Sequence, residues 1–165
     1  ATGVAPTVSF YIDEMPVSTI SSGSSTSFAQ TIVDPKLYDL KQVEVLRGPQ
    51  GTLYGSSSMG GTVRLITGQP LVGETEGSVN TDLSYTEKGD INYTLNGMYN
   101  LDVSDSGALR VVGSYTDRSG FIDRVDRATG DTFDEEVNSE QSAAVRIAYR
   151  HEFEDSYIQP FVFYQ

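Results

Sequence analysis

Glu44 to Pro70 reads EVLRGPQGTLYGSSSMGGTVRLITGQP, and its interpretation decides the fold. A short apolar strand, Val43 to Leu46, ends in a charge at Arg47. A Gly48-Pro49 turn follows. Gly51, Gly55, Gly60 and Gly61 then punctuate a small-residue loop, and a second strand is expected from Val63 to Thr67. Glycine tolerates φ > 0 and lets another backbone come close. Two strands joined by such a loop form a compact unit that packs tightly against a neighbour.

Upstream, Val8 to Ile12 alternates and carries β-branched and aromatic residues, which predicts a strand ended by Pro16. Ser18 to Gln30 is rich in Ser, Thr and Gly, with Ser21, Ser22, Gly23 and Ser24 at its centre, and by itself reads as a flexible linker. Asp34-Pro35 has the chemistry of a helix start, and Leu37 and Leu40 would give that short helix one apolar face.

The run Val43 to Gly55, Gly60-Gly61 and the Leu65-Ile66-Thr67 strand resemble the C-terminal half of the plug domain of TonB-dependent outer-membrane receptors. Phe10-Tyr11-Ile12-Asp13-Glu14-Met15-Pro16 is similar to the same plug's Asp-containing strand and turn. The motif-level likeness covers residues 8 to 70. The resemblance implies a plug that is an α/β portion of a mostly β protein. It makes Arg47, with Glu44 second, the residues that tether plug to barrel wall, and Gly48, Pro49, Gly51, Gly55, Gly60 and Gly61 the plug-motif turn. The Ser21 to Ser24 stretch would then be an apical loop on the ligand side.

From Glu74 the pattern changes. Val79, Thr81, Leu83 and Tyr85 alternate with Ser78, Asn80, Asp82 and Ser84. Ile91, Tyr93, Leu95, Tyr99 and Leu101 alternate with Asn92, Thr94, Asn96 and Asn100, and Leu109, Val111, Gly113 and Tyr115 with Arg110, Val112, Ser114 and Thr116. Ala143, Val145, Ile147 and Tyr149 follow the same rule. Tyr157 to Gln165 reads as a last strand whose faces the pattern does not separate. Turns are expected at Lys88-Gly89-Asp90, Asp105-Ser106-Gly107 and Glu154-Asp155-Ser156.

Soluble strands average about 5–6 residues, whereas transmembrane barrel strands need ~9–11 residues with this alternation. Tyr85, Tyr99, Tyr115 and Tyr149 are expected near strand ends, where interfacial aromatics lie. A soluble meander with one wet face uses the same alternation. Joined to the plug resemblance, the pattern favours residues 1–72 as the C-terminal part of a plug and 73–165 as about five antiparallel transmembrane β-barrel strands. Plugged transporters of this kind have 22 strands. Five strands leave such a barrel incomplete, and an open lipid-facing sheet has bare edges prone to aggregation, so the chain is expected to be a piece of a longer receptor.

Composition excludes other classes. A net charge of −12 over 165 residues argues against a nucleic-acid partner. The absence of cysteine removes disulfide scaffolds and thiolate metal sites. No run approaches the ~18 apolar residues of a membrane helix. Gly55 to Thr62 nearly spells a phosphate loop, but Gly61 stands where the lysine should be. His151, the one histidine, sits at a strand end and reads as a solvated rim residue, so no base can be assigned. The loop Ser119 to Ser139 is charge-rich. Its Asp123, Arg124 and Asp126 are candidates for ligand contact beside the plainer reading of a solvated loop, and its acid spacing does not fit an EF-hand. Asn92-Tyr93-Thr94, a glycosylation sequon by pattern, falls inside a strand.

The resemblance implies active uptake at the Gram-negative outer membrane: a scarce ligand such as a ferric siderophore is bound and imported with energy transmitted by TonB, through a segment upstream of this chain, with no resident cofactor. Membrane lipid would be the other partner. The rival readings are a soluble acidic β-sheet binding module and a passive porin or adhesin barrel. An enzyme is more remote, because no credible base or metal set is present.

Overall fold

The computed structural model describes residues 7–17, 37–55, 58–87, 89–127 and 129–165. The Ser21 to Ser24 loop, the Asp34-Pro35 helix start and Lys88 lie outside the described residues. The chain gathers into two compact units, one up to Gly68 and one running from Gln69, which also takes in 37–38.

The first unit is a small mixed sheet. Its strands are β1 (Val8–Ile12), β2 (Met15–Pro16), β3 (Leu40–Arg47) and β4 (Gly61–Thr67), in the order β2-β1-β4-β3. β1 runs parallel to β4, and the other pairings are antiparallel. A one-turn helix, α1 (Gly51–Tyr54), occupies part of the stretch expected to be loop. Two expectations need correcting. Leu40 opens β3 instead of closing a helix, and the strand is longer than Val43 to Leu46. The cause is Asp39, which takes a left-handed φ of 66° while its carbonyl accepts Gly68 N–H at 2.8 Å. That turn ends any helix and starts the strand.

The second unit is an antiparallel meander: β5 (Glu76–Tyr85), β6 (Ile91–Ser104), β7 (Gly107–Arg118) and β10 (Glu140–Glu152), with β11 (Tyr157–Ile158) and β12 (Phe161–Tyr164) both on β10. The expected last strand is thus two pieces broken at Gln159-Pro160, where Pro160 supplies only its carbonyl, to Tyr149 N–H at 3.0 Å. The break also separates its faces, with Val162 and Tyr164 exposed and Phe161 and Phe163 half-buried. The loop between β7 and β10 folds into a small hairpin, β8 (Arg124–Val125) on β9 (Thr132–Asp134).

This sheet is inside out relative to a soluble protein. On one face Val79, Leu83, Leu95, Tyr99, Val145 and Ile147 are exposed, several by half or more. On the other, Asn100, Arg110 and Arg146 are buried at 0%, 6% and 3% exposure. Register explains the sorting. Glu76, Asn100, Arg110 and Ala148 form one row across four strands, and Val79, Gly97, Gly113 and Val145 form another on the opposite face. A side-chain period of two keeps each row on its side along the whole strand.

The apolar face is bounded at both ends. Near one end Tyr93 stacks on Tyr115 at 5.8 Å, beside Asp117 and Gln141. Near the other, Tyr149, His151 and Phe153 form a ring chain with centroids 6.4 and 4.8 Å apart. From Gln141 to His151 along β10 is about 33 Å of strand, or about 25 Å once tilted by ~40°, the height of a barrel's apolar band. Tyr99 departs from expectation: it lies mid-strand, because β6 continues to Ser104, and its ring covers Gly77, whose added Cβ would meet Tyr99 Cδ2 at 2.9 Å.

Candidate functional site

Two clusters stand out. The first lies on one face of the small sheet. Tyr11, Arg64 and Glu44 form a single row across β1, β4 and β3. Arg64 Nη1 donates to Glu44 Oε2 at 2.7 Å and Nη2 to Glu14 Oε1 at 2.5 Å. Its guanidinium also sits 5.9 Å from the Tyr54 ring centre. The Arg64 side chain is only 16% exposed. Burial opposes its charge, but attraction to Glu14, Tyr54 and Glu44 and the Glu44 hydrogen bond outweigh that, so its pKa is raised above the ordinary arginine value. Arg64 therefore stays cationic at any working pH.

Beside it the Gly-rich stretch folds over the same face. Ser9 Oγ lies 2.6 Å from Ser58 Oγ and 2.9 Å from Thr62 Oγ1, all three residues being buried. Ser58 Oγ donates to Tyr54 O, and Tyr11 Oη donates to the same carbonyl at 3.0 Å. These hydroxyls satisfy one another, which is what lets polar groups be buried at all. Gly61 has φ 150°, and a Cβ there would stand 2.6 Å from Leu46 O. Gly48 and Gly55 have φ of 89° and 79°. These glycines are fixed by backbone geometry. Gly60 N–H donates to Thr7 O at 2.6 Å, Pro49 follows the Gly48 turn, and Gly51 begins α1.

The second cluster is in the larger unit. Asn100 is fully buried and spends its whole amide on the segment 69–75. Its Nδ2 donates to Leu71 O at 2.9 Å and Glu74 O at 2.7 Å, and its Oδ1 accepts Leu71 N–H at 3.0 Å. Asp102 Oδ1 accepts Gly73 N–H at 2.9 Å. On the same face Arg110 Nη1 meets Glu76 Oε1 at 3.1 Å. Sequence reasoning placed Asn100 on a polar face but did not see that it moors the segment that follows β4.

The other nominated residues are placed as follows. Arg47 ends β3, exposed, with no ion pair among the described residues. Glu44 is engaged by Arg64. In the 119–139 loop, Asp123 Oδ1 accepts Glu136 N–H at 3.0 Å, Asp126 Oδ1 accepts Thr129 N–H at 3.3 Å, and Arg124 reaches Asp134 at 3.3 Å. These charges stitch the loop to itself. Among the described residues no three acidic or histidine side chains cluster to hold a metal ion, and no helix is long and apolar enough to cross a membrane.

The family described as the TonB-dependent Receptor Plug Domain matches residues 2–62. The chain belongs to the TonB-dependent receptors. The pesticin receptor of Yersinia pestis is 40% identical over 86 residues, covering 50% of this chain and 11% of the relative. The ferripyoverdine receptor of Pseudomonas aeruginosa is 30% identical over 125 residues, covering 73% and 14%. Among solved structures, the ferric yersiniabactin uptake receptor of Yersinia pestis superimposes with a TM-score of 0.63 at 25% identity, over 90% of this chain and 20% of that one. The chain thus spans a small part of the receptors it matches. The first unit carries the plug motifs, the inside-out sheet has the pattern of barrel wall, and the receptor is an outer-membrane protein.

Proposed function

We propose that this chain is the C-terminal part of the plug, 1–72, and the opening strands of the barrel wall, 73–165, of a receptor that imports a scarce ligand across the outer membrane. The observation that carries the reading is the union, in one chain, of a plug-type sheet and a sheet whose apolar face is the exposed one. A passive pore needs no such plug, and a soluble binding module would not expose Val79, Leu83, Leu95 and Val145 together. The family transports, and nothing in the two clusters amounts to a base or nucleophile set.

The cargo we assign is a ferric siderophore, the ligand class named for the yersiniabactin and pyoverdine receptors that this chain resembles. TonB pulls on the plug from upstream of Val8, and outer-membrane lipid surrounds the wall. Arg47, exposed and without an ion pair among the described residues, is the tether to the wall, with Glu44 as second partner. The charged loop 119–139 and the Ser21 to Ser24 stretch are the candidate ligand-side surfaces.

The test is uptake of radiolabelled iron by iron-starved cells carrying the full receptor. Uptake that needs both the receptor and TonB, and that a matching siderophore restores, supports the reading. Receptor-dependent entry that persists without TonB overturns it in favour of a passive pore.

A further inference from the structure

β1 and β4 are parallel, with Val8 beside Gly61 and Ile12 beside Leu65. Parallel pairing puts the start of one strand and the finish of the other at opposite ends. Val8 and Thr67 are therefore about 20 Å apart along the strands at ~3.3 Å per residue. The chain enters the sheet at Val8 and leaves it after Thr67, where it runs into the segment moored by Asn100. Tension between those points acts along β1 and β4. While the pairing holds, load passes from β1 to β4 through the inter-strand bonds, which share it together.

β3 behaves differently. It is antiparallel to β4, and its first residue, Leu40, lies opposite Thr67. Tension applied there opens the ladder one pair at a time.

The far end of β1 carries a latch. Asp13 N–H donates to Leu65 O at 2.9 Å, and its carboxylate accepts Thr67 N–H and Thr67 Oγ1, both at 2.9 Å. Hydrogen bonds to a carboxylate are roughly twice as strong as neutral ones. Asp13 has φ 53°, a left-handed conformation that Asp and Asn adopt more readily than other side-chain residues. The Arg64–Glu14 pair crosses the same seam, but Glu14 is 83% exposed, so it contributes little.

We propose that the plug sheet is a directional clamp: β1 and β4 resist an upstream pull in shear, Asp13 latches them, and β3 unzips readily once β1 has gone. The inference rests on the reading that the receptor is worked by pulling. It makes plug release a two-stage event. The first stage frees β1 and β2 while β3 and β4 are still paired.

The test is force spectroscopy on the full receptor in a membrane, held by its wall. A handle upstream of Val8 is expected to show one cooperative rupture, then extension at lower force. The chain has no cysteine, so a second handle can be set by Lys41→Cys, at an exposed position in a β-bulge. Pulling there is expected to open the sheet without the high-force rupture. Asp13→Asn keeps the turn and is expected to shorten the paired lifetime under upstream load about tenfold, and Thr67→Val, which removes only the hydroxyl donor, shortens it less. Equal rupture forces from the two handles, or unchanged lifetimes in both variants, would overturn the clamp. Wild-type receptor that ruptures as described yet shows no TonB-dependent uptake would instead sink the transport reading and leave the clamp standing.

Discussion

Arg64 on β4 stands directly opposite Glu44 on β3, and its guanidinium donates to that carboxylate across 2.7 Å while its other end reaches Glu14. One cation thus joins three separate parts of the plug sheet. Removing it leaves Glu44 partly buried without its partner. Fully buried pairs broken from one side cost about 3–5 kcal/mol. With Glu44 32% exposed, Arg64→Met should cost about 2 kcal/mol by the same reasoning. Limited proteolysis of the plug in the full receptor measures it. The double variant Arg64→Met with Glu44→Leu should recover much of the resistance. A double variant as sensitive as the single one would mean that the pairing is not the source.

Asn100→Leu should release the 69–75 segment. Three hydrogen bonds are lost, and backbone groups of Leu71 and Glu74 lose their partners, for a cost of about 2–4 kcal/mol. A spin label at Val72 should report a gain in mobility, with strand content unchanged by circular dichroism. An immobile label would show that Asp102 alone suffices.

Gly61→Ala places a methyl 2.6 Å from Leu46 O at φ 150°. The Arg47–Gly61 end of the β3–β4 ladder must separate, with backbone strain of about 1–3 kcal/mol. The plug should become protease-sensitive while heat-modifiable migration of the barrel is unaffected. Gly51→Ala, at a helical position with open space around it, should be neutral in the same assay.

Leu95 and Asn96 are sequence neighbours on opposite faces of β6, Leu95 half exposed on the apolar side. Leu95→Arg should cost about 2–4 kcal/mol at mid-bilayer and lower receptor yield in the outer membrane. Asn96→Arg should be milder. The reverse order would invert the wall.

Arg47→Ala tests the tether. Retained wall assembly with weakened energised uptake and a looser plug is the expected outcome. Unchanged uptake and unchanged plug resistance would remove Arg47 from that role.

The long strands were legible because a backbone period of two must repeat over ten or more residues, and the sequence from Gly77 to Tyr149 shows it plainly. What escaped depends on distant partners. Nothing near Arg64 in the sequence marks its role, because Glu14 is fifty positions away. Leu40 looked helical because the turn at Asp39 is closed by Gly68, far downstream. Asn100 matched its polar neighbours in pattern and differs only in what it touches. The break in the last strand did have a local signal, Pro160, which cannot donate to a ladder.

The parallel seam also sets an order of events in time. Hairpins such as β5–β6 and β6–β7 close over short turns, so each can form as soon as its second strand exists. β1 pairs locally only with the two residues of β2, and its full-length partner is distant: Ser9 meets Thr62 across 53 positions of chain. During synthesis and transit Val8 to Ile12 is therefore an apolar strand awaiting a partner not yet in place. Closure of that loop is the late step, and the newborn chain is most open to misassembly at β1.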